Sequence, residues 1–194
     1  INALIEAKHV AADGTTEILK VDGDKFTTVY SCGIFESCAP LRFSKDDKTL
    51  YLSTNKGDRD LAQLVLLDPE TGKEQLIEQD PLGRVDLGDA SFSNVTHDLI
   101  ATVYDDDKQR IYWKDKKYEA DYKFLKSKLG DSEINMGSSS KDETKFIVSS
   151  NSDVDPGTVW IFDRNSKSLT KLYQSREKLP RASLSPMEAI RYKS

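Results

Sequence analysis

The chain has 194 residues, 37% hydrophobic and 31% charged, which is ordinary for one globular domain with a core. Its formal net charge of −5 makes nucleic acid and acidic membrane surfaces poor partners. No apolar run approaches the ~20 residues of a membrane-spanning helix. No signal-peptide pattern is visible and the chain opens without Met, so the compartment stays open.

Residues 3–22, ALIEAKHVAADGTTEILKVD, read as a strand, a turn and a second strand ending at Asp22. They align without a gap with residues 49–68, TLYLSTNKGDRDLAQLVLLD. The chain therefore opens at the second strand of a unit, with the innermost strand absent, and its start reads as a truncation. Next comes SCGIFESC, a connecting segment in which Cys32 and Cys38 stand six apart. Two readings stay open: a local disulfide, which favours an oxidising compartment, or two free thiols.

Residues 40–80 spell out one whole unit. PLRFS is a strand, KDDK a turn, and TLYLSTN a strand with Leu50 and Leu52 alternating. NKGDRD is a loop, AQLVLLD a nearly all-apolar strand, PETGK a tight turn and EQLIEQD a more polar fourth strand. The plan recurs. FSKDDKTLYLSTN at 43–55 is echoed by FSNVTHDLIATVY at 92–104 and SSKDETKFIVSSN at 139–151. A second marker, an apolar run closed by aspartate, falls at Asp22, Asp68, Asp115 and Asp163, about 47 residues apart.

Four-stranded meanders at that period predict an all-β fold, a partial β-propeller of about four four-stranded blades. The domain spans residues 1–180, with units at about 1–36, 37–83, 84–132 and 133–180. The third unit departs after Asp115. YEADYKFLKSKLG sets Tyr118, Tyr122, Leu125 and Leu129 on one helical face, and Gly130 suits the C-terminal cap. One short helix is expected over residues 118–129, replacing or preceding the outer strand.

Chemistry is sparse. The nearest approach to a G-x-S-x-G elbow is Gly137-Ser138-Ser139-Ser140, where Lys141 takes the final glycine position and the repeat places the stretch on an innermost strand. His97 falls at a hairpin tip and His9 just before a loop, so both read as solvated histidines. These two histidines do not complete a Cys₂His₂ zinc set with the cysteines, and neither a metal nor a cofactor is expected. Asn94-Val95-Thr96 spells a glycosylation sequon that recurs often by chance.

Acidic residues gather in the loops between second and third strands: Asp13, Asp58 with Asp60, Asp105 to Asp107, and Asp153 with Asp155. Such loops share one face of every blade with SCGIFESC. Asp58, Arg59, Asp60, Asp105, Asp106, Asp153 and Asp155 are therefore the candidates for a substrate-facing rim that attracts a cation or a peptide's ammonium end. The plainer reading is that hairpin loops favour Asp, Asn and Gly. NSDVDPG lacks the alternating ligands of a calcium loop.

SSNSDVDPGTVWIFDRNSKSLTKL, followed by SREKLPRASLSPMEAIRYKS, resembles the end of the propeller domain in the prolyl oligopeptidase family of serine peptidases. The likeness is to its acylaminoacyl-peptidase and dipeptidyl-aminopeptidase branch. STNKGDRDLAQLVLLDPETGKE and YEADYKFLKSKLG fit the same branch. The resemblance covers about residues 40–194 and is most specific over 146–194. It implies a seven-bladed propeller of which this chain holds about four units, with residues 181–194 as a linker to an α/β-hydrolase domain that carries the catalytic triad. The implied role is non-catalytic: to gate and position short peptides for that domain. The alternative is a stand-alone propeller that binds a protein or peptide. An open arc of blades also predicts self-association through its exposed terminal faces, unless RASLS (residues 181–185) supplies the missing strand of the first unit.

Overall fold

The computed structural model describes residues 5–190 and 192. Among these residues, fourteen strands form four sheets of consecutive antiparallel neighbours. The first holds β1 (Ile5–Val10), β2 (Thr16–Asp22) and β3 (Lys25–Cys32); the second holds β4 (Cys38–Phe43), β5 (Leu50–Thr54), β6 (Gln63–Leu67) and β7 (Glu74–Glu78). The third is β8 (Asp89–Phe92), β9 (Leu99–Asp105) and β10 (Gln109–Trp113). Helix α1 (Lys116–Leu129) follows, then the fourth sheet: β11 (Glu133–Ser139), β12 (Lys145–Ser152), β13 (Asp155–Asp163) and β14 (Ser168–Gln174). The chain divides into two compact units, residues 1–92 with 96–112 and residues 93–95 with 113–194.

The repeated sentence has a local cause. In its first copy Ser44 Oγ donates to Asp46 (2.7 Å), and it accepts from the Thr49 amide (3.1 Å). In the last copy Ser140 Oγ donates to Asp142 (2.6 Å) and accepts from the Lys145 amide (3.0 Å). Each turn passes through one residue of positive φ, Asp47 at 56° and Glu143 at 52°, and His97 at 66° does the same in the middle copy. The serine thus closes a four-residue turn whose direction registers the first hairpin.

The aspartate marker works the same way. Asp68 Oδ1 accepts from the amides of Glu70 and Thr71, and Asp163 Oδ1 from those of Asn165 and Ser166. These amides, two and three residues on, are turned back into an outer strand. Asp115 accepts from the amides of Lys117 (2.8 Å) and Tyr118 (3.0 Å), again two and three residues on, but there the chain enters α1. Asp115 is its N-cap, so the helix starts at Lys116, two residues ahead of the expected start, and Gly130 (φ 64°) closes it. Replacing a capping aspartate with alanine costs about 1 kcal/mol. Asp115→Ala is therefore expected to reduce stability by about that amount in a denaturant titration, a loss that Asp115→Ser should largely restore.

In the first unit two apolar cores flank the second sheet. Ile18, Tyr30, Leu50, Leu52, Val65 and Leu67 form one, shared with the first sheet. Leu64, Leu87, Ala90 and Tyr104 form the other, shared with the third sheet. Neighbouring residues of a strand point to opposite faces, so Leu64 and Val65 serve different cores. That is why AQLVLLD carries no polar alternation.

In the second unit α1 buries Tyr118, Asp121 and Leu125. Tyr118 meets Phe146 edge-on (5.7 Å between centroids), and Phe124 stacks on Phe162 (5.7 Å). Tyr122 instead packs beside Trp113, 5.2 Å away, and Leu129 is half-buried. RASLS does not form a strand: Arg181–Ser183 is a 3-10 turn, and the first sheet keeps three strands. Of the expected linker, Arg191, Lys193 and Ser194 lie outside the described residues, as do the first four residues of the opening unit.

Candidate functional site

Hydrogen bonds join the loops at one end of the first unit. Glu36, on the β3–β4 connection, accepts from the Gly57 amide (2.8 Å), and the Ser37 amide donates to Asn55 Oδ1 (2.6 Å). Asp86 accepts from the Ala62 amide (2.6 Å), and the Leu87 amide donates to Ala62 O (2.9 Å). At Gly88 a Cβ would stand 2.9 Å from the Asp105 side-chain Oδ2 and 3.2 Å from the backbone Val103 O. A side chain there would have to push the Asp105 carboxylate aside and crowd the Val103 carbonyl.

A buried ion-pair network fills this end. Asp80 carries no exposed side-chain surface and receives Arg110 in a two-pronged bond, 2.7 and 2.8 Å. The amides of Leu82, Arg84 and Val85 donate to the same carboxylate. Arg110, and then these amides, hold Asp80 far below the usual carboxylate range against the opposing effect of burial. Asp106 lies 3.1 Å from both Arg84 and Arg110.

Arg59 is ion-paired with Glu74, which also accepts from the Tyr30 hydroxyl (2.5 Å). Burial, with Glu74 as hydrogen-bond acceptor, pushes Tyr30 up to about 12, so the phenol stays a donor. Lys56 Nζ stands 4.3 Å above the Tyr30 ring. Tyr30, Lys56 and Glu74 line an open cleft of about 330 Å³, together with Thr28 and Ser31. It is polar and holds one cation and one carboxylate already tied to Arg59.

The second unit has its own pairs. Asp155 accepts from Arg181 (3.0 Å) and Asp153 from the Met187 amide (2.7 Å), which fasten the segment after β14 to the β12–β13 connection and the start of β13. Asp121 pairs with Arg164 (2.5 Å) and with Lys167. Glu143 is buried, yet hydrogen bonds from Tyr118, the Asn94 amide and Ser93 keep its carboxyl below its ordinary value.

Of the proposed rim, Asp106 in one unit and Asp155 in the other hold arginines, and Asp153 holds a backbone amide. Asp58 and Asp60 are exposed, and Asp105 accepts from the Gln109 side chain (3.1 Å). Arg59 is committed to Glu74. Sequence reasoning passed over Asp80, Arg84 and Arg110. The one signal for them was Asp80 itself, placed before a Pro-Leu-Gly turn whose amides need an acceptor.

His97 Nδ1 lies 3.3 Å from the Arg42 guanidinium, and His9 is an exposed residue of β1 opposite Glu17. Gly137-Ser138-Ser139 lies within β11, not at a strand-to-helix turn. Among the described residues no group of three or more His, Cys, Asp or Glu side chains is placed to hold a metal ion. Among the described residues no helix is long and apolar enough to cross a membrane.

Four antiparallel meanders of three or four strands, with one helix, have the sheet pattern of a partial propeller of four-stranded blades. No family model matches the chain. It is 28% identical over 185 residues to dipeptidyl aminopeptidase BIII of Pseudoxanthomonas mexicana, a match covering 93% of this chain and 26% of that protein. The chain thus spans about a quarter of the length of the curated relative it matches. Among solved structures it is similar to a puromycin-hydrolysing peptidase of Mycobacterium tuberculosis, with a TM-score of 0.49 and 15% identity, over 92% of this chain and 30% of that one. The matched relative is of the dipeptidyl-aminopeptidase kind that the quoted sequence segments resemble.

Proposed function

We propose that the chain is the non-catalytic propeller portion of a serine peptidase, which gates and positions short peptides for an α/β-hydrolase domain. The observation that carries this reading is the match to a dipeptidyl aminopeptidase along 93% of the chain. The site geometry supports it: the charged loop residues hold one another, and His97 faces an arginine in place of a hydroxyl nucleophile. Rigid loops of this kind suit a wall that excludes large substrates better than a reacting centre. Exposed Asp58 and Asp60 are the carboxylates that would meet a peptide's ammonium end.

The purified chain is expected not to hydrolyse acyl-aminoacyl or dipeptidyl chromogenic substrates. Turnover that a serine-reactive phosphonate blocks would place a nucleophile within these residues and end the proposal.

A further inference from the structure

Cys32 closes β3 and Cys38 opens β4, with their Cα atoms 6.1 Å apart, inside the span that a disulfide bridges. Both are buried in the core between the first and second sheets, only 1% and 2% exposed. The five residues between them are held from below. The Glu36 amide donates to Gly33 O (3.0 Å), and the Glu36 carboxylate accepts from the Gly33 amide (2.7 Å) and the Gly57 amide (2.8 Å). Two apolar side chains are left at the tip: Ile34 is 60% exposed and Phe35 92%. Ile34 leans on Gly14, where a Cβ would come within 3.1 Å of its Cγ2. Phe35 stands clear.

We propose that Cys32 and Cys38 form a disulfide that clasps the β3–β4 connection and sets Phe35 out as a fixed apolar tip. This goes beyond the peptidase reading and does not rest on it. The oxidant is a small-molecule disulfide such as oxidised glutathione. The thiolate of one cysteine attacks it, forms a mixed disulfide and releases one small thiol. The other cysteine then attacks the bound cysteine sulfur and releases the second. Two cysteine thiols become one disulfide, the oxidant becomes two thiols, and the two protons end on them. Once formed, the bond sits in a core that a reductant reaches only when the loop opens, so it outlasts brief exposure to thiols.

The test uses the folded chain incubated with oxidised glutathione, then denatured in an alkylating reagent. The expected result is a mass short by two hydrogens, no alkylation, and a peptide joining Cys32 to Cys38. Two alkylated thiols would overturn the proposal. Limited chymotrypsin digestion reads the second half of it. Cleavage after Phe35 is expected to be several-fold slower in the oxidised protein than in the reduced one. The Cys32→Ser, Cys38→Ser double variant should be cut at the reduced rate whether or not dithiothreitol is added. Equal cleavage of oxidised and reduced wild type would show that the bond does not set the tip, and that comparison stands even if the double variant does not fold.

Discussion

Asp80→Asn is expected to destabilise the chain by about 3 kcal/mol, the scale of removing one partner from a buried ion pair. Asparagine keeps the shape but loses the charge, and half of its amide presents N–H groups to a guanidinium that can only donate. Arg110 would be left four-fifths buried with its bidentate partner gone, and three loop amides would compete for one remaining oxygen. For a chain of this length the loss corresponds to a fall of roughly 6–12 °C in Tm. The pH dependence gives a second readout. Because Asp80 is held below its ordinary value in the folded state, its contribution is complete above that value and drains away as pH falls toward the folded one. Wild type should therefore lose stability below pH ~4, and Asp80→Asn should lose less of it there. Parallel Tm–pH curves for the two proteins would refute the assignment.

Leu125→Asp should be more damaging, by about 4 kcal/mol or more. Truncating a fully buried leucine already costs about 3 kcal/mol, and Leu125 has no exposed surface. A carboxylate at this fully buried position must be desolvated or else bind a proton. It would also lie one turn beyond Asp121, whose own charge is already matched by Arg164 and Lys167. Thermal unfolding followed by circular dichroism is the measurement. A Tm equal to wild type would mean that α1 is not docked through this face, and Leu125→Ala should fall between the two.

The strands and turns were legible because their causes are short-range. Ser44 and Ser140 act within five residues, Asp68, Asp115 and Asp163 within three, and period-two alternation marks β5. Repetition then multiplied a weak signal. The helix was visible from its spacing, and Tyr118 and Leu125 of its expected face are buried, but Asp121 is buried with them while Tyr122 and Leu129 are only half-buried. Asp121, a charge that periodicity assigns to solvent, is fully buried because Arg164 and Lys167, more than forty residues on, supply its partners. The pairing of the loop carboxylates was hidden for the same reason. Nothing near Asp106 in the sequence says that it will meet Arg84, and nothing near Asp155 announces Arg181. Composition tells that a loop is acidic; only the fold tells which acids are already neutralised.

Asp115 makes the same pair of backbone bonds as Asp68 and Asp163, yet a helix follows the first and a strand each of the others. The aspartate commits the chain to turning and to nothing further. It behaves as a seam between a conserved plan and an improvised ending: the preceding strands of each repeat keep their register whatever is stitched on after it. A tandem gene could accumulate insertions at this point without unravelling the strands before it, because those strands are already paired with one another.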